Sequence, residues 1–325
     1  MSDEFIEQLI ADGVASSNKA NLRPLKGGVS SDIYLLEDED RRIVVKRALP
    51  QLKVEAEWFA DVSRNETERL YIQHVAKTNP FSVPKVLAVG ENYFAMEYFG
   101  EEYSNWKVSM LCGRFSDEWP QKAGAFLGDV HRYSRDNEAL AEQFDKMDSF
   151  WQLRIEPYLI AASEKHPELD SIFVEEAVRL RSCKLALVHG DFSPKNILVS
   201  KNRLVVLDCE VANYGDPAFD VAFLLTHLFL KMLYHKNYYA EIKKSVRLFL
   251  EAYGVFSLDF EARTGRLLML LLIARVDGKS PVEYLTDSSS VLFLRSFARL
   301  QLIQNPKGLI AILEEWEAGV KALRV

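Results

Sequence analysis

The chain has 325 residues, 48% of them hydrophobic, and a net charge of −7. This allows a sizeable core in two domains or lobes, and without a basic run it argues against binding along a nucleic-acid backbone. Three cysteines, Cys112, Cys183 and Cys209, form no CxxC pair, which disfavours a zinc site or disulfide framework and makes a reducing cytoplasm the expected setting.

The N-terminus, "MSDEFIEQLI", lacks the basic and apolar blocks of a signal peptide. Residues 3–13 read as a short helix. "LRPLKGGVSSDIYLLEDEDRRIVVKRAL" reads as antiparallel sheet, with "DIYLLE" and "RRIVVKR" as strands around an acidic turn. "VEAEWFADVSRNETERLYIQHVAKT" has helical periodicity. "VPKVLAVG" and "YFAMEYF" are two further strands joined at "EN". The expectation is therefore a small β domain over residues 1–100. Residues 101–325 are mainly helical, interrupted by one apolar hairpin. The aliphatic run "LLMLLLIA" from Leu267 is too short to span a bilayer and reads as buried helix.

That hairpin is "LVHGDFSPKNILVSKNRLVVLDCE", residues 187–210. "NILV" and "LVVLD" are its strands and "SKNR" its turn, so closing it sets Asn196 beside Asp208, with Asp191 just upstream. Polar side chains gathered where apolar strands end have a partner or a task. The spacing is H-x-D-x-x-x-x-N, strand, turn, strand, Asp. It matches a phosphoryl-transfer loop, in which an Asp receives the acceptor hydroxyl's proton while an Asn and a second Asp hold metal. Carboxylate and amide oxygens suit Mg²⁺. His189 reads as a buried scaffold group.

"LVHGDFSPKNILV" followed by "VVLDCEVANYGDPAFDVAFLL" is similar to the aminoglycoside phosphotransferase and choline kinase-like family. The resemblance is sharp over residues 187–224 and consistent in order elsewhere. It implies an α+β, bilobal protein-kinase-like fold: a small antiparallel β lobe, then a larger, mainly helical lobe with an inserted catalytic hairpin. It implies ATP and Mg²⁺ as cofactors and a small hydroxylated molecule as substrate, an amino alcohol, sugar or aminoglycoside-like compound. By the resemblance Asp191 is the catalytic base, Asn196 and Asp208 are Mg²⁺ ligands, and Glu210 lies near the metals or phosphates. Asp220 would tie the loop to the following helix, whose start Asp216 caps.

The β lobe should then be the nucleotide-binding domain, and the helical lobe the catalytic and substrate-binding one. Gly27 and Gly28 permit close approach to phosphate, with Ser30 and Ser31 as donors. Neither G-x-G-x-x-G nor P-loop spacing is present. Lys46, ending "IVVK", is placed to meet the α- and β-phosphates. Arg47 is its rival, because Val44 and Val45 are both apolar and leave the strand's facing open. A carboxylate must hold the lysine. Glu66, sharing a side with Leu70 at i,i+4, is favoured over Glu68. Backbone around Glu97 to Phe99, after Met96, would meet the adenine edge.

Nothing resembling D-F-G or A-P-E is present, so a protein substrate is disfavoured. The texture of "YGDPAFDVAFLLTHLFL" also resembles methylthioribose kinases, although "FSPKN" departs from the residues that come after H-G-D in that group. Arg275 and Asp277 either contact substrate or end their helix at Gly278. A catalytically inactive binding or regulatory protein of this fold should have lost Asp191, Asn196 or Asp208, and all three are present. No nucleic-acid or membrane partner is expected, and the chain should act as a monomer or homodimer.

Overall fold

A computed structural model describes residues 2–17, 20–25, 31–39, 41–48, 63–254, 256–304 and 308–323. The chain forms two compact units, Met1–Tyr103 with Ser200–Val211, and Ser104–Val199 with Ala212–Val325. They are not consecutive stretches of chain. Residues 200–211, assigned from the sequence to the helical domain, lie with the first unit.

The first unit is built on a five-stranded antiparallel sheet, ordered Asn21–Pro24, Ser31–Asp38, Arg41–Ala48, Tyr93–Glu97, Val86–Gly90. The strand Arg41–Ala48 is central, and both its faces are covered. Ile43 and Val45 join Phe5 and Leu9 of the helix Ser2–Ala11 in one apolar cluster. Arg47, on the same side, lies over the Phe5 ring at 4.8 Å. Val44 and Lys46 project to the other face, where the helix Ser63–Val75 packs. Burial on both faces explains the unbroken run "IVV".

The segment 200–211 is fastened to this unit by polar contacts. The Val206 amide donates to the Ser82 carbonyl at 2.8 Å. Arg203 donates to the Phe81 carbonyl at 2.6 Å and pairs with Glu97 at 2.7 Å.

In the second unit the strand Ala186–Val188 pairs antiparallel with Asn213–Gly215, and Ile197–Val199 pairs with Ser104–Asn105. Helices make up most of the rest. Ala218–Tyr234 is buried from Ala218 through Leu233, as a helix at the centre of a core must be. Leu258–Asp277 packs against it, and its "LLMLLLIA" run is fully inside. Residues Trp151–Ile160 wind as a π-helix, a geometry frequent at functional sites.

The helices Glu118–Ser134 and Tyr239–Tyr253 pack closely because glycines line the contact. A Cβ on Gly124 would lie 2.3 Å from the Phe249 carbonyl oxygen, and one on Gly128 would lie 2.5 Å from that of Tyr253. Gly124→Ala gains about 1 kcal/mol in helix propensity, but the backbone oxygen must move. The expected net loss is about 1–3 kcal/mol, read as a lower thermal midpoint. A midpoint at or above wild type would show that the helices part without cost.

Candidate active site

In the first unit the Lys46 ammonium is 3% exposed. It lies 2.5 Å from Glu68 Oε2 and donates to Asp208 Oδ1 at 3.0 Å. Asn65 Nδ2 donates to the Lys46 carbonyl at 3.3 Å, tying the helix Ser63–Val75 to the strand beneath it. Burial alone would depress the lysine's pKa. Glu68, Asp208 and Glu210 outweigh it, so the ammonium keeps its proton well above the ordinary lysine range. Glu68 is pushed the opposite way from a normal ion-paired acid. Burial first, then repulsion from Asp208 and Glu210, raises its carboxyl pKa against the pull of Lys46.

Carboxylate oxygens of Glu68, Asp208 and Glu210 come within 4.8 Å of one another, so together they could hold a metal ion. Arg64 Nη1 donates to Glu210 Oε1 at 3.3 Å and steadies the third member. Asp208 has φ of 62°, a left-handed conformation uncommon outside glycine. Strain of this kind gathers at sites where a side chain must be aimed.

The lysine's partner is a correction. Glu66 is 60% exposed and pairs with Arg69 on the outer side of the helix, while Glu68 is buried against Lys46. Leu70 and Val75 are five residues apart and do not share a face. The inward stripe is Arg64, Glu68, Tyr71, Ile72 and Val75. Counting back seven residues from Val75 would have found Glu68.

In the second unit, Asp191 Oδ2 pairs with Arg154 Nη2 at 3.0 Å and with Lys195 Nζ at 2.9 Å. Arg154, on the π-helix, also donates to the Gly190 carbonyl. The loop's backbone is held by one buried carboxylate. Asp220 accepts from the His189 amide at 2.6 Å and from the Gly190 amide at 2.9 Å. His131 Nε2 lies 3.3 Å from Asp220, and its Nδ1 is 2.9 Å from the Tyr253 hydroxyl, so the closely packed helix pair supports the same acid. The Asp191 amide donates back to His189 Nδ1 at 3.1 Å. Asn196 Nδ2 donates to the Asp191 carbonyl at 3.0 Å. Asp191 and Asn196 thus belong to one unit, Asp208 and Glu210 to the other. Asp216 accepts from the Ala218 amide at 3.0 Å, capping the helix Ala218–Tyr234, and is also paired with Arg179 and Arg263.

Gly27, Gly28 and Ser30 lie outside the described residues, and Ser31 opens the second strand of the sheet. Glu97 is engaged at both ends. Its amide donates to the Lys85 carbonyl at 2.9 Å, and its carboxylate takes Arg203. Phe99 stacks edge-on with Tyr103 and beneath the Arg203 guanidinium. Met96 is buried. Asp277 is bound by Arg295 at 2.8 Å and His166 at 2.9 Å, and its helix stops at Gly278. Sequence reasoning did not choose Glu68, its second candidate, nor Arg64, Arg154 and Lys195, which it never named. The first two were legible from helical phase, whereas the Arg154–Asp191 pair spans residues that no local pattern connects.

The sequence profile described as the phosphotransferase enzyme family matches residues 21–242. A methylthioribose kinase of Bacillus cereus (strain AH820) is 26% identical over 233 residues, covering 62% of this chain and 58% of that protein. The chain thus spans under two thirds of that relative's length. The streptomycin-ATP-APH(2")-IIa ternary complex aligns with a TM-score of 0.51 and 20% identity, covering 94% of this chain and 97% of that one. A microcompartment-associated aminopropanol kinase aligns at 0.54 and 15%, covering 93% and 98%. These structural likenesses bear out the α+β, protein-kinase-like fold class expected from the sequence.

The positions of Glu66 and Glu68 predict unequal stability effects. Glu66→Ala should change stability by no more than about 0.5 kcal/mol. Glu68→Ala should cost about 3 kcal/mol, the low end for breaking a buried pair, because Asp208 still meets Lys46. Urea midpoints of the two variants check this, and equal midpoints would refute it.

Proposed function

The chain belongs to the phosphotransferase enzyme family, and we propose that it transfers the γ-phosphoryl group of ATP, with Mg²⁺, to a hydroxyl of a small molecule. The observation that carries this reading is the buried Lys46, flanked by Glu68 and Asp208. A phosphoryl-transfer site needs a cation on the phosphates, a carboxylate to aim it, and an acid for the metal. The first unit would be the nucleotide-binding domain and the second the catalytic and acceptor-binding one. A cytoplasmic setting is part of this reading and rests on three cysteines that form no CxxC pair; separately, no described helix is long and apolar enough to cross a membrane.

In this reading Asp191 is the base that takes the acceptor's proton. Arg154 and Lys195 pair with its carboxylate and fix where it points. Asp208 and Asn196 would hold Mg²⁺, with Glu210 nearby, and Glu68 is near enough to Asp208 to join them. Bound Mg²⁺ would supply positive charge to the transferring phosphoryl group. Lys46 would bind the α- and β-phosphates, and Gly27, Gly28, Ser30 and Ser31 would cover them. The adenine edge would meet backbone between Glu97 and Phe99. The names of the relatives, a methylthioribose kinase and an aminopropanol kinase, keep sugars and amino alcohols among the acceptor classes.

ATP consumption over a panel of hydroxylated metabolites tests the reaction itself. With an acceptor in hand, Asp191→Asn should lower turnover at least about 10²-fold while nucleotide binding persists. Unchanged turnover would remove Asp191 from the role of base. Asp208→Ala should raise the Mg²⁺ requirement more than Asn196→Ala, because an anionic ligand contributes charge as well as geometry. A Mg²⁺ titration saturating at the wild-type concentration would take Asp208 out of the metal shell. Lys46→Met should raise the KM for ATP and lower turnover, whereas Arg47→Met, on the Phe5 face, should leave both unchanged. The reverse pattern would assign the phosphate contact to the other face of the strand.

A further inference from the structure

The buried helix Ala218–Tyr234 carries Phe223, His227 and Lys231 at successive i,i+4 positions. The stripe begins near the catalytic loop. Arg154, paired with Asp191, lies 5.9 Å from the Phe223 ring centroid, and the His227 ring is 5.3 Å beyond Phe223. It ends at Lys231, about 12 Å along the helix from Phe223.

Lys231 is fully buried, and its ammonium meets no hydrogen-bond acceptor among the described residues. Its neighbour is the Tyr284 ring, 5.2 Å away. The Tyr284 hydroxyl is likewise buried without a partner. Arg275, from the helix Leu258–Asp277, adds a second cation. It donates to the Tyr158 hydroxyl at 3.3 Å, to the Ser280 hydroxyl at 3.0 Å and to the Ser280 carbonyl, all neutral, and its Nε has no partner among the described residues. The nearby acid Glu283 is already paired with Lys107 at 2.9 Å. Burial, with Lys107 and Arg275, presses the Lys231 ammonium down to about 7, and burial with Lys231 and Arg275 holds His227 well below the usual histidine range.

This arrangement is costly for a core. An aromatic face recovers only part of what an ammonium loses on leaving water. A methionine would fill the same space without that loss. A buried lysine with no acceptor among the described residues, a neighbouring cation with only neutral partners and an orphan hydroxyl together describe a seat for an anion, whose charge would keep the lysine protonated. Tyr284 also lines, with Tyr234 and Leu285, a cavity of about 700 Å³, and the same ring is the one beside Lys231.

We propose that the acceptor carries an anionic group, a carboxylate or a phosphate, which Lys231, Arg275 and the Tyr284 hydroxyl receive while the reacting hydroxyl lies at Asp191. This rests on the phosphotransfer reading of Asp191 and narrows its substrate class to hydroxylated anions.

The first test needs no turnover. Thermal midpoints of the full chain are read in sodium acetate, sodium phosphate and sodium chloride at equal ionic strength, for the wild type and Lys231→Met. The wild type should gain a saturable few degrees over chloride in at least one of the two anions. The anion that responds distinguishes carboxylate from phosphate. K231M should lose the gain, while its midpoint in chloride equals or exceeds that of the wild type. No wild-type gain, or an equal gain in K231M, overturns the proposal. The second test compares Mg-ATP consumption with hydroxy acids and with their amides. A preference for the acids of about tenfold or more in kcat/KM, lying mainly in KM and shrinking in K231M, is expected. Amides that serve as well as acids overturn the inference and leave the phosphotransfer reading standing. An anion-dependent gain without turnover of any hydroxy compound overturns that reading, and with it the assignment of this anion to an acceptor.

Discussion

One ion-paired lysine organises the first unit. Moving the Lys46 ammonium out of water is unfavourable unless charge of the opposite sign comes with it. Glu68 supplies that charge from the helix Ser63–Val75, and Asp208 supplies it from a segment 162 residues later. The helix must therefore present Glu68 inward, and the segment 200–211 must return to the sheet. Arg64 on Glu210 and Arg203 on Glu97 fasten that return. Three carboxylates are gathered around the Lys46 ammonium and the Arg64 guanidinium, an excess of negative charge that would draw a metal cation.

The second unit solves a different problem, that of holding a polar loop inside an apolar bundle. The His189 and Gly190 amides are buried donors that no strand partner satisfies, and Asp220 accepts both. His131 and Tyr253 in turn satisfy Asp220 and the imidazole. The glycines at 124 and 128 matter to this chain of contacts, because they let the helices bearing His131 and Tyr253 approach backbone to backbone. A packing feature of two helices thus bears on where the Asp191 loop sits.

How much of the molecule is legible in the sequence depends on the range of each interaction. The loop from His189 to Asp208 is readable because its members lie within a few residues of one another across a short turn. The strand bearing Lys46 is readable as a strand but not by face, since the helices on both sides make Ile43, Val44 and Val45 equally apolar. The helix after it is misphased when Leu70, only partly buried, serves as its inner mark, because Tyr71 and Ile72 hold that place. Arg154 gives no signal, since its partner Asp191 is 37 positions away and its own segment winds with π rather than α phase. Lys231 is hidden for another reason: inside "FLLTHLFLKMLY" a single lysine reads as the exposed side of an amphipathic helix, whereas this helix has almost no exposed side.

The divided first unit also bears on how the protein is made. A ribosome that has released residues 1–103 has delivered the sheet, Lys46 and Glu68, but neither Asp208 nor Glu210, and it has left Glu97 without Arg203. Nearly a hundred residues of the second unit emerge before the segment 200–211 arrives. During that interval the nascent sheet carries a lysine with half its counter-charge and an uncovered Ser82 carbonyl. The first unit to be synthesised cannot be the first to be finished, and its last contacts form only after much of its neighbour has left the ribosome.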